Sequence, residues 1–434
     1  MPPGLATLPP TIPWHGTTIY TPPAGAGSRL IGLGPDDTLY VLLARSLPVP
    51  TPTPSNLFVV PDVQASVIAL RPDGSIRSGW PSAGVPVSGY PISYKVNADG
   101  TVFVASGANP YGGQPNSLSQ LTITAIGSDG KVLAGWPYRT PAAQPAADPE
   151  LLALGPGGVV CLVTVKPGVT TLGSGVPMVI YCLGRDGKLL PGWPYSSQLP
   201  LFNLAVGPDG TVYAAQVTST KTTANSSAFP YQVLAIAPDG KPKPGWTTWS
   251  RDGADAITAI MPTKDGRVYL VMGGDSGQAE LIDLDRSGKA LDDHVELAAS
   301  LRHPSYKDAV LTSDGSLFVT VTDQAGDANL VNAYSADGSQ MPGWPQLIGG
   351  WGDLAVAPQG SVWVAWTLYA ASGGGADTSV VALFDKNGKL QPGYPMAADN
   401  LPHYKSYGLE VASDGTAYAS AATISGSRIV ALRP

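Results

Sequence analysis

Short apolar runs alternate with Asp-Gly or Asn-Gly pairs along almost the whole chain. The runs are rich in Val, Leu, Ile, Tyr and Phe, which fit the half-buried surface of a β-sheet. The Asp-Gly and Asn-Gly pairs supply the positive φ angles of a tight turn between antiparallel strands. No segment between the turns shows a helical period, so the pattern predicts a chain built from β-hairpins.

Two hairpin phrases alternate along the sequence. The first phrase, such as "ALRPDGSIRSGWP", recurs at 69–81, 125–137, 182–194, 235–247, 333–345 and 382–395, with a divergent copy at 282–294. The second phrase, such as "VGPDGTVYAAQ", recurs at 33–43, 96–106, 154–164, 206–216, 262–272, 311–321, 356–366 and 411–421. One copy of each makes a four-stranded meander of roughly 50 residues, which is typical of a β-propeller blade.

The sequence therefore predicts one all-β domain over residues 1–434, a single eight-bladed β-propeller of four-stranded antiparallel blades. We expect the blades to start near residues 29, 92, 150, 202, 256, 306, 351 and 407. The final "ALRP" (431–434) repeats the head of the first phrase and stops before its Asp-Gly, so the last blade lacks an outer strand there. Because an open ring exposes strand edges, we expect an N-terminal strand within residues 1–28 to complete this blade.

One aromatic residue recurs at a fixed place in the first phrase, and Trp14 precedes the first turn at a similar distance. A large ring at a fixed offset from a turn is a packing device, so we interpret the series as residues that wedge against the neighbouring blade. The series comprises Trp14, Trp80, Trp136, Trp193, Trp246, Trp344 and Tyr394.

The phrase Ala…Asp-Gly-Lys…Trp resembles the tryptophan-docking repeat of the PQQ-like, or quinoprotein-type, propellers. The resemblance implies a bacterial eight-bladed scaffold. In the dehydrogenases of that family, activity needs adjacent cysteines, a calcium site and a catalytic carboxylate. Cys161 and Cys182 are not adjacent in this sequence. The resemblance therefore implies the fold and favours a binding or assembly propeller over a dehydrogenase.

The two cysteines lie at equivalent distances from their turns. Cys161 follows the turn residue Gly157 by four positions, and Cys182 precedes Asp186 by four. They should lie at one height on adjacent strands, where they could form a cross-strand disulfide. Two buried thiols that act as small apolar residues remain the alternative.

Charge and hydropathy narrow the possible partners. Only 13% of residues are charged, the net charge is −7 and there is no basic run, which argues against nucleic acid and anionic membrane surfaces. No apolar stretch is long enough to span a bilayer, and the N-terminus has no signal-peptide pattern. The low charge and the loops rich in Ser, Thr, Pro and Gly lead us to expect an extracellular or cell-surface location.

The loops between the second and third strands are long in blades 1 to 4, at 47–64, 107–119, 166–177 and 218–230. Loops carry function when a rigid scaffold holds them, so this long-loop face is the predicted binding face. Tolerated insertions remain the alternative. Aromatic residues that could contact a ligand are Tyr111, Tyr138, Tyr195, Phe229 and Trp249.

A second candidate region is the channel mouth, where the inner strands begin. Asn203, Asp308 and Asp353 stand six residues before their turns, with Asp255 at a similar place, and could offer oxygen ligands to Ca²⁺. His303 and His403, with Asp308, are the candidate acid–base residues. Ordinary loop hydrogen bonding explains the same residues and is the favoured interpretation.

The sequence thus favours a non-enzymatic, extracellular or cell-surface interaction propeller that recognises a protein or a glycan on its long-loop face. One alternative is a carbohydrate-active hydrolase or lyase at the channel mouth. Another is a structural subunit of a surface assembly. No catalytic motif with restrictive spacing occurs in the chain.

Overall fold

The strands form eight four-stranded antiparallel blades in a ring, which confirms the predicted all-β architecture. The structure is a computed structural model and describes residues 9–13, 15–47, 62–108, 120–142, 152–167, 176–218, 230–251, 255–274, 280–291, 295–296, 304–323, 329–349, 351–368, 378–399, 408–423 and 426–434. Within these ranges, no helix has the length and apolar character that a membrane span requires.

Blades 1 to 4 follow the chain in order. Blade 1 comprises β3 (Ala26–Leu33), β4 (Leu39–Ser46), β5 (Val63–Leu70) and β6 (Val85–Val87). Blade 2 comprises β7 (Tyr90–Val96), β8 (Val102–Gly107), β9 (Thr122–Ile126) and β10 (Tyr138–Arg139). Blade 3 comprises β11 (Leu152–Leu154), β12 (Val160–Val165), β13 (Met178–Leu183) and β14 (Tyr195–Ser197). Blade 4 comprises β15 (Leu201–Val206), β16 (Val212–Val217), β17 (Tyr231–Ile236) and β18 (Trp249–Arg251).

Blades 5 to 8 complete the ring. Blade 5 comprises β19 (Asp255–Pro262), β20 (Val268–Gly274), β21 (Glu280–Leu284) and β22 (Val295–Glu296). Blade 6 comprises β23 (Pro304–Leu311), β24 (Leu317–Asp323), β25 (Asn329–Tyr334) and β26 (Gln346–Ile348). Blade 7 comprises β27 (Trp351–Val356), β28 (Val362–Leu368), β29 (Thr378–Phe384), β30 (Met396–Asp399) and an added β1 (Ile12–Pro13). Blade 8 comprises β31 (Leu409–Val411), β32 (Ala417–Thr423), β33 (Gly426–Leu432) and β2 (Thr17–Tyr20).

The Asp-Gly turns all lie on one face of the ring, because they join the first strand to the second and the third to the fourth. The aspartate side chain accepts the backbone N–H two residues later, as from Thr101 to Asp99 at 2.9 Å. The following glycine has a positive φ, which is 76° at Gly130. In blade 1 the sequence lacks that glycine, and Asp36 and Asp37 adopt positive φ themselves within the short 3-10 turn Pro35–Asp37. A second such turn is Pro156–Gly158 in blade 3.

The recurring tryptophans hold neighbouring blades together. Their indole N–H donates to a backbone carbonyl in the turn of the next blade, from Trp80 to Ser128 (3.0 Å), Trp136 to Arg185 (3.0 Å), Trp193 to Pro238 (2.9 Å) and Trp344 to Lys386 (3.1 Å). In blade 7, the Tyr394 hydroxyl donates to the Arg433 carbonyl of blade 8 in the same way. Trp246 differs, because its N–H donates to Val233 of its own blade. Trp14 lies outside the described residues.

Next to most of these tryptophan side chains, an alanine lies opposite a large aromatic residue on the neighbouring strand. Each pair joins the second and third strands of a blade: Tyr40 with Ala69, Phe103 with Ala125, Tyr213 with Ala235 and Phe318 with Ala333. The alanine leaves room for the tryptophan that packs in the same buried cluster. In blade 3 the pair is Cys161 with Cys182, which are joined by a disulfide and pack with Trp193.

The N-terminal segment closes the ring, as predicted. Strand β2 pairs antiparallel with β33, with Thr17 opposite Ala431 and Tyr20 opposite Ile429. Ile19 of this strand packs against the buried cluster between blades 8 and 1. The sequence did not indicate a further contact, in which β1 pairs in parallel with β30 of blade 7. The segment therefore contacts the outer edges of two consecutive blades.

Deleting residues 1–20 should lower the melting temperature strongly or make the protein insoluble, because it removes β1 and β2 and exposes the edge of β33. Differential scanning calorimetry of the soluble fraction would measure the change. Deletion of residues 1–8 is the matched control and should melt like the parent. A 1–20 deletion that also melts like the parent would contradict closure by β2.

Candidate functional site in the channel

Three of the predicted calcium ligands share one register position on the inner strands. Asn203 lies opposite Ala215, Asp308 opposite Thr320 and Asp353 opposite Ala365, each two residue pairs from the large aromatic residue of the second strand. Asp255 does not share this position, because it lies opposite Gly274 at the far end of β19. The backbone therefore places three of the four residues at one height in blades 4, 6 and 7.

The contact described for Asn203 is a structural one. The Asn203 side-chain amide donates to the Ile257 carbonyl of blade 5 at 2.7 Å, which ties two inner strands together. Among the residues that the structure describes, no three His, Cys, Asp or Glu side chains are close enough to hold a metal ion. The side chains of Asp255 and Asp308 are not among those described. The calcium site stays a prediction.

The other predicted contact residues are spread over the ring. Tyr138, Tyr195 and Trp249 begin the outermost strands β10, β14 and β18 and are half-buried. The Tyr138 ring packs against Tyr181 of blade 3, with 6.3 Å between ring centroids. Lying outside the described residues are Tyr111, Phe229, His303 and His403. Their proposed roles therefore stay predictions.

The described part of the chain does bring a charged cluster together inside the channel. A cavity of about 400 Å³ is lined by the inner strands β3, β7, β27 and β31, from four consecutive blades. Its polar side chains are Arg29, Tyr94, Lys95, Asp353 and Glu410, which we call the channel cluster. Sequence reasoning singled out only Asp353 from this set.

Three residues that line the cavity occupy the same register position on the inner strands of their blades. Gly32, Lys95 and Glu410 lie opposite the large aromatic residues Tyr40, Phe103 and Tyr418, so they occupy one position in blades 1, 2 and 8. In the other five blades this position holds Ala153, Ala205, Met261, Val310 and Ala355.

Lys95 and Glu410 are thus the two charged residues of this layer, and the blade between them contributes a glycine without a side chain. Glu410 in "GLEVASDG" stands four residues before its turn residue Asp414, so an alignment of the blades by their turns could have found it.

Burial raises the pKa values of two side chains in the channel cluster, Glu410 and Tyr94. Glu410 is half-buried, and desolvation in the interior of the ring raises its pKa to about 7, while the positive charge of Lys95 acts in the opposite direction. The Arg29 guanidinium lies over the Tyr94 ring, 5.1 Å from its centroid. Burial also raises the pKa of Tyr94, so its hydroxyl stays protonated at neutral pH. The cluster can therefore present cationic and neutral donors together.

Comparisons with known proteins show the fold alone. No family model matches the sequence, and no curated protein sequence matches it. Among solved structures, the Dos1 propeller is similar with 9% identity and a TM-score of 0.50 over 96% of this chain and 94% of that one. Prolyl oligopeptidase B from Galerina marginata is similar with 12% identity and a TM-score of 0.50 over 91% of this chain. The chain spans about 55% of the length of that enzyme.

Glu410 should make the protein less stable as pH rises. Its pKa in the folded state is about 7, against 4.5 for an ordinary glutamate, so between these values the folded state keeps a proton that the unfolded chain has lost. Stability should fall by about 1–3 kcal/mol between pH 4 and pH 8, less where channel water solvates the carboxylate.

Glu410→Gln should lose this part of the pH dependence. Denaturant unfolding of both proteins at pH 4 and pH 8 would measure it, with Asp129→Asn on an exposed turn as the control. Equal pH dependence in the parent and Glu410→Gln would show that burial does not shift this carboxyl group.

Calcium binding to the folded state would stabilise it by about 2.7 kcal/mol at a hundredfold excess over the dissociation constant. The double variant Asp308→Asn with Asp353→Asn should lose that gain, because it removes two of the three ligands that share a register position. Melting curves with calcium and with chelator would measure it. If chelator leaves the melting curve of the parent unchanged, the three residues do not form a calcium site.

Proposed function

We propose that this protein is an extracellular or cell-surface interaction propeller that binds a protein or a glycan on its long-loop face, without chemistry. The observation that carries the proposal is the distribution of the segments between second and third strands. They cover 47–62, 108–121, 166–177 and 218–230 in blades 1 to 4, but only 275–279, 324–328, 369–377 and 424–425 in blades 5 to 8.

The position of these segments supports a single binding surface. The strands that they join end on the face opposite the Asp-Gly turns, and blades 1 to 4 are consecutive in the ring. The segments contain several prolines, which limit the conformational entropy lost on binding, and few charges. The turn face offers short, similar hairpins that give a partner little to distinguish.

Two further features support the extracellular location and the relationship to PQQ-like propellers that we propose. A disulfide between Cys161 and Cys182 is compatible with an oxidising compartment such as the cell exterior. The tryptophan N–H bonds to the next blade are the interactions that a tryptophan-docking repeat of the PQQ-like type would make. We therefore propose that the scaffold is related to those propellers and that the chain has lost, or never had, their dehydrogenase chemistry.

Replacing 109–119 and 219–229 with Gly-Gly-Asp-Ser-Gly, the short segment of blade 5, should abolish binding on a glycan array or to a surface partner. Folding should be retained, because loop closure depends only weakly on loop length and buried Leu121 is kept. The same replacement at 369–377 in blade 7 is the matched control and should leave binding intact.

Binding that survives in the doubly shortened variant would overturn the assignment to this face. Turnover of polysaccharide mixtures by the parent would instead favour the carbohydrate-active hydrolase or lyase.

A further inference from the structure

We propose that the junction between blades 8 and 1 holds a docking site for a partner protein segment that carries a tryptophan and a neighbouring basic residue. The site is a cavity of about 840 Å³, a size typical of ligand sites, and we call it the Tyr418 seat. Its lining includes Ile19 of β2, Pro72 and Asp73 of blade 1, and Tyr418 and Ala431 of blade 8. It lies at the Asp-Gly turns, so it is separate from the long-loop face and does not rest on the function proposed there.

The floor of the Tyr418 seat is the kind of residue pair that receives a tryptophan elsewhere in the ring. Tyr418 on β32 lies opposite Ala431 on β33, as Phe103 lies opposite Ala125 in blade 2. In blade 2 the aromatic ring packs against Trp136, with 5.6 Å between ring centroids. Within the described part of the chain, no aromatic ring packs against Tyr418. The pair is therefore available to an indole from outside.

The carbonyl that a docking indole needs is present as well. At the other junctions the indole N–H donates to the residue directly before the Asp or Asn of the next turn, such as Arg185 before Asp186. In blade 1 this residue is Pro72, before Asp73. Among the residues that the structure describes, none donates a hydrogen bond to the Pro72 carbonyl. A tryptophan in the seat would supply that donor.

Blade 2 shows which residues fill such a seat. The Gly135 carbonyl oxygen would lie 2.5 Å from a Cβ on the turn glycine of blade 3, and Tyr138 pairs with Ile123. Trp136 and a proline stand between Gly135 and Tyr138. The tryptophan is thus held between two fixed points, a close approach to the next turn and the start of the outer strand.

Strand β2 reaches the corresponding two points with no residue between them. The Ile19 carbonyl oxygen would lie 1.8 Å from a Cβ on Gly74, the turn glycine of blade 1, and the next residue, Tyr20, pairs with Ile429. Ile429 corresponds to Ile123, because each stands two residues before the alanine of its blade's aromatic–alanine pair. The closing strand therefore lacks the tryptophan and the proline, and Ile19 lines the cavity that remains.

The charges around the Tyr418 seat favour a basic residue beside the tryptophan. Asp73 and Asp414 line the seat together with Arg433. Asp37 also acts electrostatically on Tyr418, as do these three residues. Three carboxylates thus stand against one guanidinium, which attracts a cationic partner and repels an anionic one.

The test is isothermal titration calorimetry of the full chain with the acetylated, amidated peptide Lys-Pro-Gly-Trp-Pro. This probe adds a lysine to Pro-Gly-Trp-Pro, the sequence of residues 191–194. We expect binding in the micromolar to millimolar range. The same peptide with alanine for tryptophan should bind at least about tenfold more weakly, because it has neither the ring nor the N–H donor. Glutamate for lysine should weaken binding at low ionic strength.

Variants locate the binding at the Tyr418 seat. Ala431→Leu occupies the space beside Tyr418 and should abolish binding. Asp73→Lys reverses a charge of the seat and should weaken binding about tenfold. Asp129→Lys is the matched control and should bind like the parent, because Asp129 accepts the same turn hydrogen bond but adjoins a junction where Trp80 is bound. These two exposed aspartates decide the matter if Ala431→Leu fails to fold.

Three results would overturn the proposal. They are no binding of the tryptophan peptide at millimolar concentration, equal binding of the alanine peptide, and equal affinities of Asp73→Lys and Asp129→Lys. Trp14→Ala tests whether this chain's own tryptophan takes the seat. It should bind like the parent, and binding gained only in this variant would also overturn the proposal of a partner segment.

Discussion

Neighbouring blades are held in register by an indole N–H that donates to a backbone carbonyl of the next blade's turn. The bond needs a close approach of two backbones, because a Cβ on Gly135, before Trp136, would lie 2.0 Å from the Asp186 carbonyl oxygen. The glycine, the tryptophan and the turn that receives them therefore form one unit. The complete unit recurs between blades 2 and 3, 3 and 4, and 6 and 7, where a Cβ on Gly135, Gly192 or Gly343 would lie 1.8–2.0 Å from a carbonyl oxygen of the next turn. Between blades 1 and 2 the Trp80 bond forms with a looser approach, because a Cβ on Gly79 would lie 3.5 Å from the Asp129 carbonyl oxygen.

The junction between blades 8 and 1 also has a close contact between two backbones, but no tryptophan bond described in the structure makes it. Here the outer strand comes from the N-terminus, and Ile19 lies where a glycine–tryptophan pair approaches the turn elsewhere. A Cβ on Gly74 of blade 1 would lie 1.8 Å from the Ile19 carbonyl oxygen, so the two backbones are as close as at the other junctions. The added pairing of β1 with blade 7 anchors the segment before it enters blade 8. Ring closure thus depends on backbone pairing and on an aliphatic contact.

The regular blades also explain how a chemical site can arise in a repeat protein. Each position on an inner strand is presented eight times around the channel, and most copies carry small or apolar residues. Replacing two of the eight with Lys95 and Glu410 places opposite charges in one layer without changing any strand. The pKa of the half-buried Glu410 carboxyl group is then raised by desolvation between the packed blades.

The sequence alone determined the blade number, the hairpin turns and the N-terminal closing strand, because Asp-Gly turns, alternating apolar runs and a repeated tryptophan are local signals. It also placed Cys161 opposite Cys182, since both are counted from neighbouring turns. It did not predict the channel cluster, because Arg29, Lys95, Asp353 and Glu410 are far apart in the chain and are ordinary charged residues within their own blades. Only the closed ring brings the inner strands of blades 7, 8, 1 and 2 around one cavity, and only there does burial change what Glu410 can do.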